Sequence, residues 1–111
     1  AIVGISPVMV PQAFEFPQDM ADHFATMVNG VTGQDLLEQW NALLPLSDSI
    51  STFAPRSLLL VAADKDDIFP PSDYADSIAG LANIQLIRHE EADHGFSACR
   101  PWLVQTVTDW L

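Results

Sequence analysis

The longest uninterrupted apolar run is Leu58-Leu59-Leu60-Val61-Ala62-Ala63, and it turns abruptly into acid at Asp64-Lys65-Asp66-Asp67. A run without polar alternation predicts a strand covered on both faces, as in a parallel sheet. From Ala1 to Ser6 the pattern predicts a shorter apolar strand, closed by Pro7. Residues 84–89 predict a third strand, less buried because Gln85 and Arg88 interrupt it. Between the strands the apolar spacing becomes helical. Pro17 opens a helix that places Met20, Phe24, Met27 and Val28 on one face, and Asn29-Gly30 stops it. Thr32 caps the next helix, with Asp35 completing a capping box, and Leu36, Leu37, Trp40, Leu43 and Leu44 recur along it until Pro45. Residues 46–53 read as a serine-rich connection anchored by Ile50 and Phe53. After Pro70-Pro71, Ser72 is the expected cap of a helix over 73–79 that buries Tyr74, Ala75 and Ile78. Pro101 starts the last helix, with Leu103, Val104, Val107, Trp110 and Leu111 on a broad apolar face. Residues 8–14, punctuated by Pro11, read as a loop or packed lining.

The order is therefore strand, helix, helix, strand, helix, strand, helix. Crossovers of this length imply parallel pairing with right-handed connections. The expected class is α/β: a three-stranded parallel sheet with helices packed against it.

Composition narrows the picture. In 111 residues, 49% are apolar, so one domain with a real core is expected. Fifteen acids against four Lys and Arg give a net charge of −11, a surface that repels nucleic acid and anionic membrane. A single cysteine excludes an internal disulfide framework. Neither a signal-peptide pattern nor a run of membrane-spanning length occurs, which makes a cytoplasmic protein the default expectation. The chain starts directly in a strand and closes on a helical pattern without a stop signal. It thus reads as a segment of something longer, or one chain of a nicked protein.

Chemistry is expected beyond the carboxyl ends of the strands, where open α/β sheets gather their ligands. Asp66 follows the central strand and His94 follows the next, so adjacent parallel strands bring both to one edge of the sheet. An imidazole acting as a base needs a carboxylate on one nitrogen to fix its tautomer, and Asp66 fits that need. The competing reading of His94 is a capping or surface histidine.

The stretch from Leu58 through Asp66 to Pro70 resembles the acid segment of the α/β-hydrolase family, in a register that selects Asp66 over Asp64 and Asp67. Asp93-His94-Gly95-Phe96 resembles that family's histidine loop, the terminal helix ending in residues 107–111 resembles its last helix, and residues 1–10 resemble the strand that follows its nucleophile helix. Ala63 stands where the family commonly has Gly. The Gly-x-Ser-x-Gly elbow is absent: Ser6 lies in Gly4-Ile5-Ser6-Pro7, and Pro7 lacks the N–H that an oxyanion hole would need. The resemblance implies a partial α/β-hydrolase fold, the C-terminal portion of such a domain over residues 1–111, with residues 11–45 inserted as a small helical lid. It further implies an esterase-like hydrolase in which Asp66 and His94 are catalytic and the serine lies on a missing N-terminal half. No cofactor is implied. The open edge of the strand from Ala1 to Ser6 is expected to associate with that half or with a second copy. The alternative is a non-catalytic subunit of the same fold that works by association.

The remaining candidates read as structural. A calcium loop counted from Asp64 would need Gly and Glu where Phe69 and Ala75 stand, so no metal is expected. His23 and His89 are scattered, Cys99 trails the histidine loop, and Trp40, Trp102 and Trp110 lie on helical patterns with other core residues. No Gly-rich phosphate loop or dinucleotide fingerprint occurs.

Overall fold

The computed structural model describes residues 1–111, apart from the side chain of Ser47. Three strands, β1 (Ile2–Ile5), β2 (Leu58–Ala63) and β3 (Ile84–His89), form one parallel sheet in the order β1-β2-β3. Ile2 lies opposite Leu58, and Leu58 opposite Ile84. All six β2 residues are buried, as the unbroken apolar run predicts. Leu58, Leu60 and Ala62 face Met9, Ile50, Tyr74 and Ile78. Leu59, Val61 and Ala63 face Ala92 and Phe96, together with Trp102, Leu103, Val107 and Trp110 of the last helix, α5 (Arg100–Trp110). Each fully buried Leu or Val side chain contributes on the order of 1.5–3 kcal/mol, so β2 is the energetic centre of the fold. The expected three-stranded parallel sheet with helices packed against it is present.

Two helices, α1 (Gln18–Ala25) and α2 (Gly33–Ala42), pack as a hairpin within the long β1–β2 connection. Thr32 and Asp35 form the expected capping box. The Asp35 N–H donates to Thr32 Oγ1 at 3.1 Å, and the Thr32 N–H donates to the Asp35 carboxylate at 2.8 Å. The hydroxyl and N–H of Thr32 hold the Asp35 carboxyl below the usual range. Gly33 sits where the helices touch: a Cβ there would fall 1.9 Å from the Asp22 carboxylate and 2.9 Å from its backbone nitrogen.

Several element boundaries differ from the sequence expectation. α2 stops at Ala42 and the chain turns extended at Leu43, two residues before Pro45, leaving Leu43 and Leu44 exposed. α1 stops before Met27 and Val28, which are also exposed. The connection at 46–53 forms one turn of helix, α3 (Leu46–Ser49), and a 3-10 turn at Ile50–Phe53, with Ile50 buried. Ser72 caps nothing. Pro71–Asp73 forms a separate 3-10 turn, the backbone breaks at Tyr74, and α4 spans only Ala75–Ile78. Tyr74 is buried in the core beside Met9 and Ile78, as the sequence pattern predicts. On α5, Trp102 points inward, whereas Val104 and Leu111 face solvent.

Candidate active site

Asp66 lies just past β2, and its loop is fastened to the loop after β3. The Asp64 N–H donates to the His89 carbonyl and the Lys65 N–H to the Ala92 carbonyl, both at 3.0 Å. Asp64 also pairs with Arg88 at 2.7 Å, and Lys65 with Glu91. These bonds carry the β2–β3 pairing past the strand ends and bring the two loops side by side. On the β3 side, His94 is held between two buried anchors, Ala92 and Phe96. Phe96 adopts a left-handed backbone (φ 51°), a costly conformation for a bulky residue, while its ring stacks with Trp102 at 6.2 Å. The Ser97 N–H donates to the Asp93 side chain at 2.8 Å, and Ser97's backbone and hydroxyl hold that carboxyl below the usual range.

His94 Nδ1 meets Asp66 Oδ2 at 2.8 Å. The other oxygen, Oδ1, accepts the backbone N–H groups of Ile68 at 3.0 Å and Phe69 at 2.9 Å. Asp66 is almost fully buried, and these bonds supply the compensation a buried carboxylate requires. Because a carboxylate only accepts, Nδ1 is the donor in this bond, which in the neutral form of the ring places the lone pair on Nε2. His94 is 40% exposed, so the imidazole is accessible while its acid partner is not. Among the charged side chains of the described residues, Asp66 alone is buried.

Ser6 is left-handed (φ 42°), and its hydroxyl donates to the His94 carbonyl at 2.7 Å. That bond fastens the end of β1 to the histidine loop and engages the hydroxyl away from the imidazole. His23 is exposed. His89 packs edge-on against Trp102 at 4.5 Å and accepts the Glu91 N–H. Cys99 is half-buried beside the α5 core. Of the acidic triplet, Asp64 is taken up by Arg88 and Asp66 by His94, and among the described residues no His, Cys, Asp and Glu group is arranged to hold a metal.

Beside His94 lies a cavity of about 240 Å³, lined by Phe14, Phe16, Met20, Phe24, Trp40, Ile68 and Phe69. The rings form a connected set: Phe69 lies 5.7 Å from His94, Phe14 5.5 Å from Phe69, and Trp40 5.3 Å from Phe16. Trp40 Nε1–H donates to the Phe14 carbonyl at 3.3 Å. Hollows of about 320 and 530 Å³ elsewhere touch neither Asp66 nor His94. Helical spacing assigned Trp40 to the core. Its place in this cavity depends on residues far apart in sequence, and no local signal carried it.

No protein-family model matches the chain, and no curated protein matches it. Among solved structures, an esterase from Exiguobacterium antarcticum superposes with a TM-score of 0.58 at 21% identity, covering 88% of this chain. The chain spans 37% of the length of that esterase. With its open parallel sheet and flanking helices, the chain has a partial α/β-hydrolase fold carrying an intact Asp–His pair. Among the described residues no helix is long and apolar enough to cross a membrane.

Proposed function

We propose that this chain supplies the acid and base of an esterase-like serine hydrolase. The observation that carries the reading is the Asp66–His94 pair, a buried carboxylate on Nδ1 of an accessible imidazole. In the proposed reaction a serine attacks an acyl carbonyl, and His94 Nε2 takes the serine proton and returns it to the leaving alcohol. Water then repeats the cycle on the acyl-enzyme. Asp66 holds the tautomer and stabilises the imidazolium. The serine comes from outside these 111 residues, a placement supported by the absent Gly-x-Ser-x-Gly motif and by the engagement of Ser6 with the His94 carbonyl. The acid and histidine segments correspond to the C-terminal half of a hydrolase domain, and residues 11–45 act as its small lid.

The test is labelling by a fluorophosphonate serine probe in the longer protein, or in a mixture with the complementary half. One label per site that disappears in His94→Ala supports the reading. No label, in material of confirmed mass and fold, overturns it. A second reading, association without catalysis, is favoured by the outer edge of β1, which has no strand partner among the described residues and leaves Ile5 half-exposed. The partner is the complementary half or a second copy. A stable complex without label would select this reading.

A further inference from the structure

We infer that the aromatic cavity beside His94 is an acyl pocket for an aryl-alkyl group of about ten non-hydrogen atoms, with Trp40 setting its depth. The inference rests on the hydrolase reading for the word acyl, but the pocket itself stands on geometry. A cavity of about 150 Å³ lined by apolar side chains holds one benzene, so at the same filling 240 Å³ accommodates about ten non-hydrogen atoms. That is a phenyl ring, a two-carbon spacer and a carbonyl.

The lining selects a flat, neutral occupant. Five of the eight lining residues are Phe or Trp, two are Met20 and Ile68, and His94 alone is titratable. Among the described residues no carboxylate lines the cavity, although the chain carries fifteen acids. A charged ligand would lose hydration there without gaining a partner, whereas an aromatic ring can meet the Phe and Trp rings edge-on or offset. Polarity is confined to one end, where the His94 imidazole meets Phe69. From there the rings continue through Phe14 and Trp40 to Phe16 and then Phe24. A carbonyl placed at His94 therefore points its substituent along this row. Trp40 stands in the middle, touching Phe14, Phe16 and Phe69, and its bond to the Phe14 carbonyl fixes the ring plane. It limits how far a substituent can reach.

The test needs no serine. The chain is titrated with 3-phenylpropanamide, which cannot be hydrolysed readily, while the indole and imidazole resonances are followed by NMR. Acetamide and dodecanamide serve as short and long comparisons. The expected result is a saturable shift of the Trp40 indole and His94 ring signals, with a Kd on the order of a millimolar or tighter for the phenyl compound. Acetamide should need at least about tenfold more, and dodecanamide should bind more weakly than the phenyl compound. Trp40→Phe should reverse the order of the phenyl and long-chain compounds. If that variant unfolds, Phe24→Ala at the half-exposed far end should relax the length limit instead. Shifts confined to Trp102 and Trp110, or equal affinity for all three amides, overturn the pocket. Serine labelling of the longer protein without amide binding would remove the pocket and leave the hydrolase. Amide binding without labelling would do the reverse.

Discussion

Asp66 shows how one side chain can be placed by its bonds alone. Its Oδ1 is occupied by two backbone donors and its Oδ2 by an imidazole, so the two oxygens are not interchangeable. Asp66→Asn keeps an acceptor for the Ile68 and Phe69 N–H groups but turns an amide donor toward His94. The expected outcome is a folded protein whose imidazole carries its proton on Nε2, read from the 15N shifts of the ring. In the proposed reaction this should cost roughly 10⁴-fold in kcat. An unchanged tautomer would contradict the assignment. Tyr74 makes the opposite case. Among the described residues its buried hydroxyl has no hydrogen-bond partner, and burial, with Asp66 nearby, pushes the phenol up to about 12. The folded state thus favours the neutral phenol. Its contribution is intact below pH 10 and is lost as pH rises through 12, by roughly 2–3 kcal/mol. Tyr74 is the only tyrosine, so phenolate absorbance reports it directly. Its midpoint should lie near 12 or coincide with unfolding, and Tyr74→Phe should match or exceed the parent in stability by up to about 1 kcal/mol, measured by denaturant unfolding at neutral pH.

The elements were legible in proportion to how local their causes are. Thr32 and Asp35 form a capping box within one turn, and the sequence pattern finds it. Thr32→Ala is expected to cost about 1 kcal/mol in denaturant unfolding. The central strand is equally legible, since burial on both faces leaves no polar position in its run. Helix ends were harder. Leu43 and Leu44 continue the helical spacing of α2 but fall in extended chain ahead of Pro45, because the residue before a proline is pushed out of the helical region. Tyr74, where the backbone breaks, packs in one cluster with Met9, Ile50 and Leu60, neighbours that no window around Ser72 reveals. The pairing of α1 with α2 likewise turns on Gly33, whose missing Cβ admits Asp22. Gly33→Ala should force the hairpin apart and destabilise it by about 1–3 kcal/mol, with chemical-shift changes concentrated in α1 and α2. Changes spread over the sheet instead would show that the hairpin is not an independent layer.

At the scale of the molecule, charge is the dominant unbalanced quantity. Two of the four Lys and Arg residues, Lys65 and Arg88, are committed to Glu91 and Asp64 beside the loops of the dyad, leaving a surface with a large acidic excess. Self-repulsion of that size weakens the compact state and is screened by salt. Raising ionic strength from about 0.01 M to about 0.15 M should therefore raise the Tm in thermal unfolding, and a fall would contradict the argument. The dyad was visible in the sequence because parallel topology puts the ends of β2 and β3 together, whichever residues fill the space between. The cavity was not, because Phe14 and Trp40 lie 26 residues apart in the β1–β2 connection and Phe69 lies in the β2–β3 connection.

The bond from Ser6 to the His94 carbonyl gives the end of the outer strand a hold on the backbone of the histidine loop. Ser6 directly follows β1, whose far side has no strand neighbour among the described residues, and its backbone is left-handed. A displacement of β1 is therefore expected to reach the backbone of the histidine loop through this one hydroxyl, and Ser6→Ala should remove that path, read from the chemical shifts of residues 93–97.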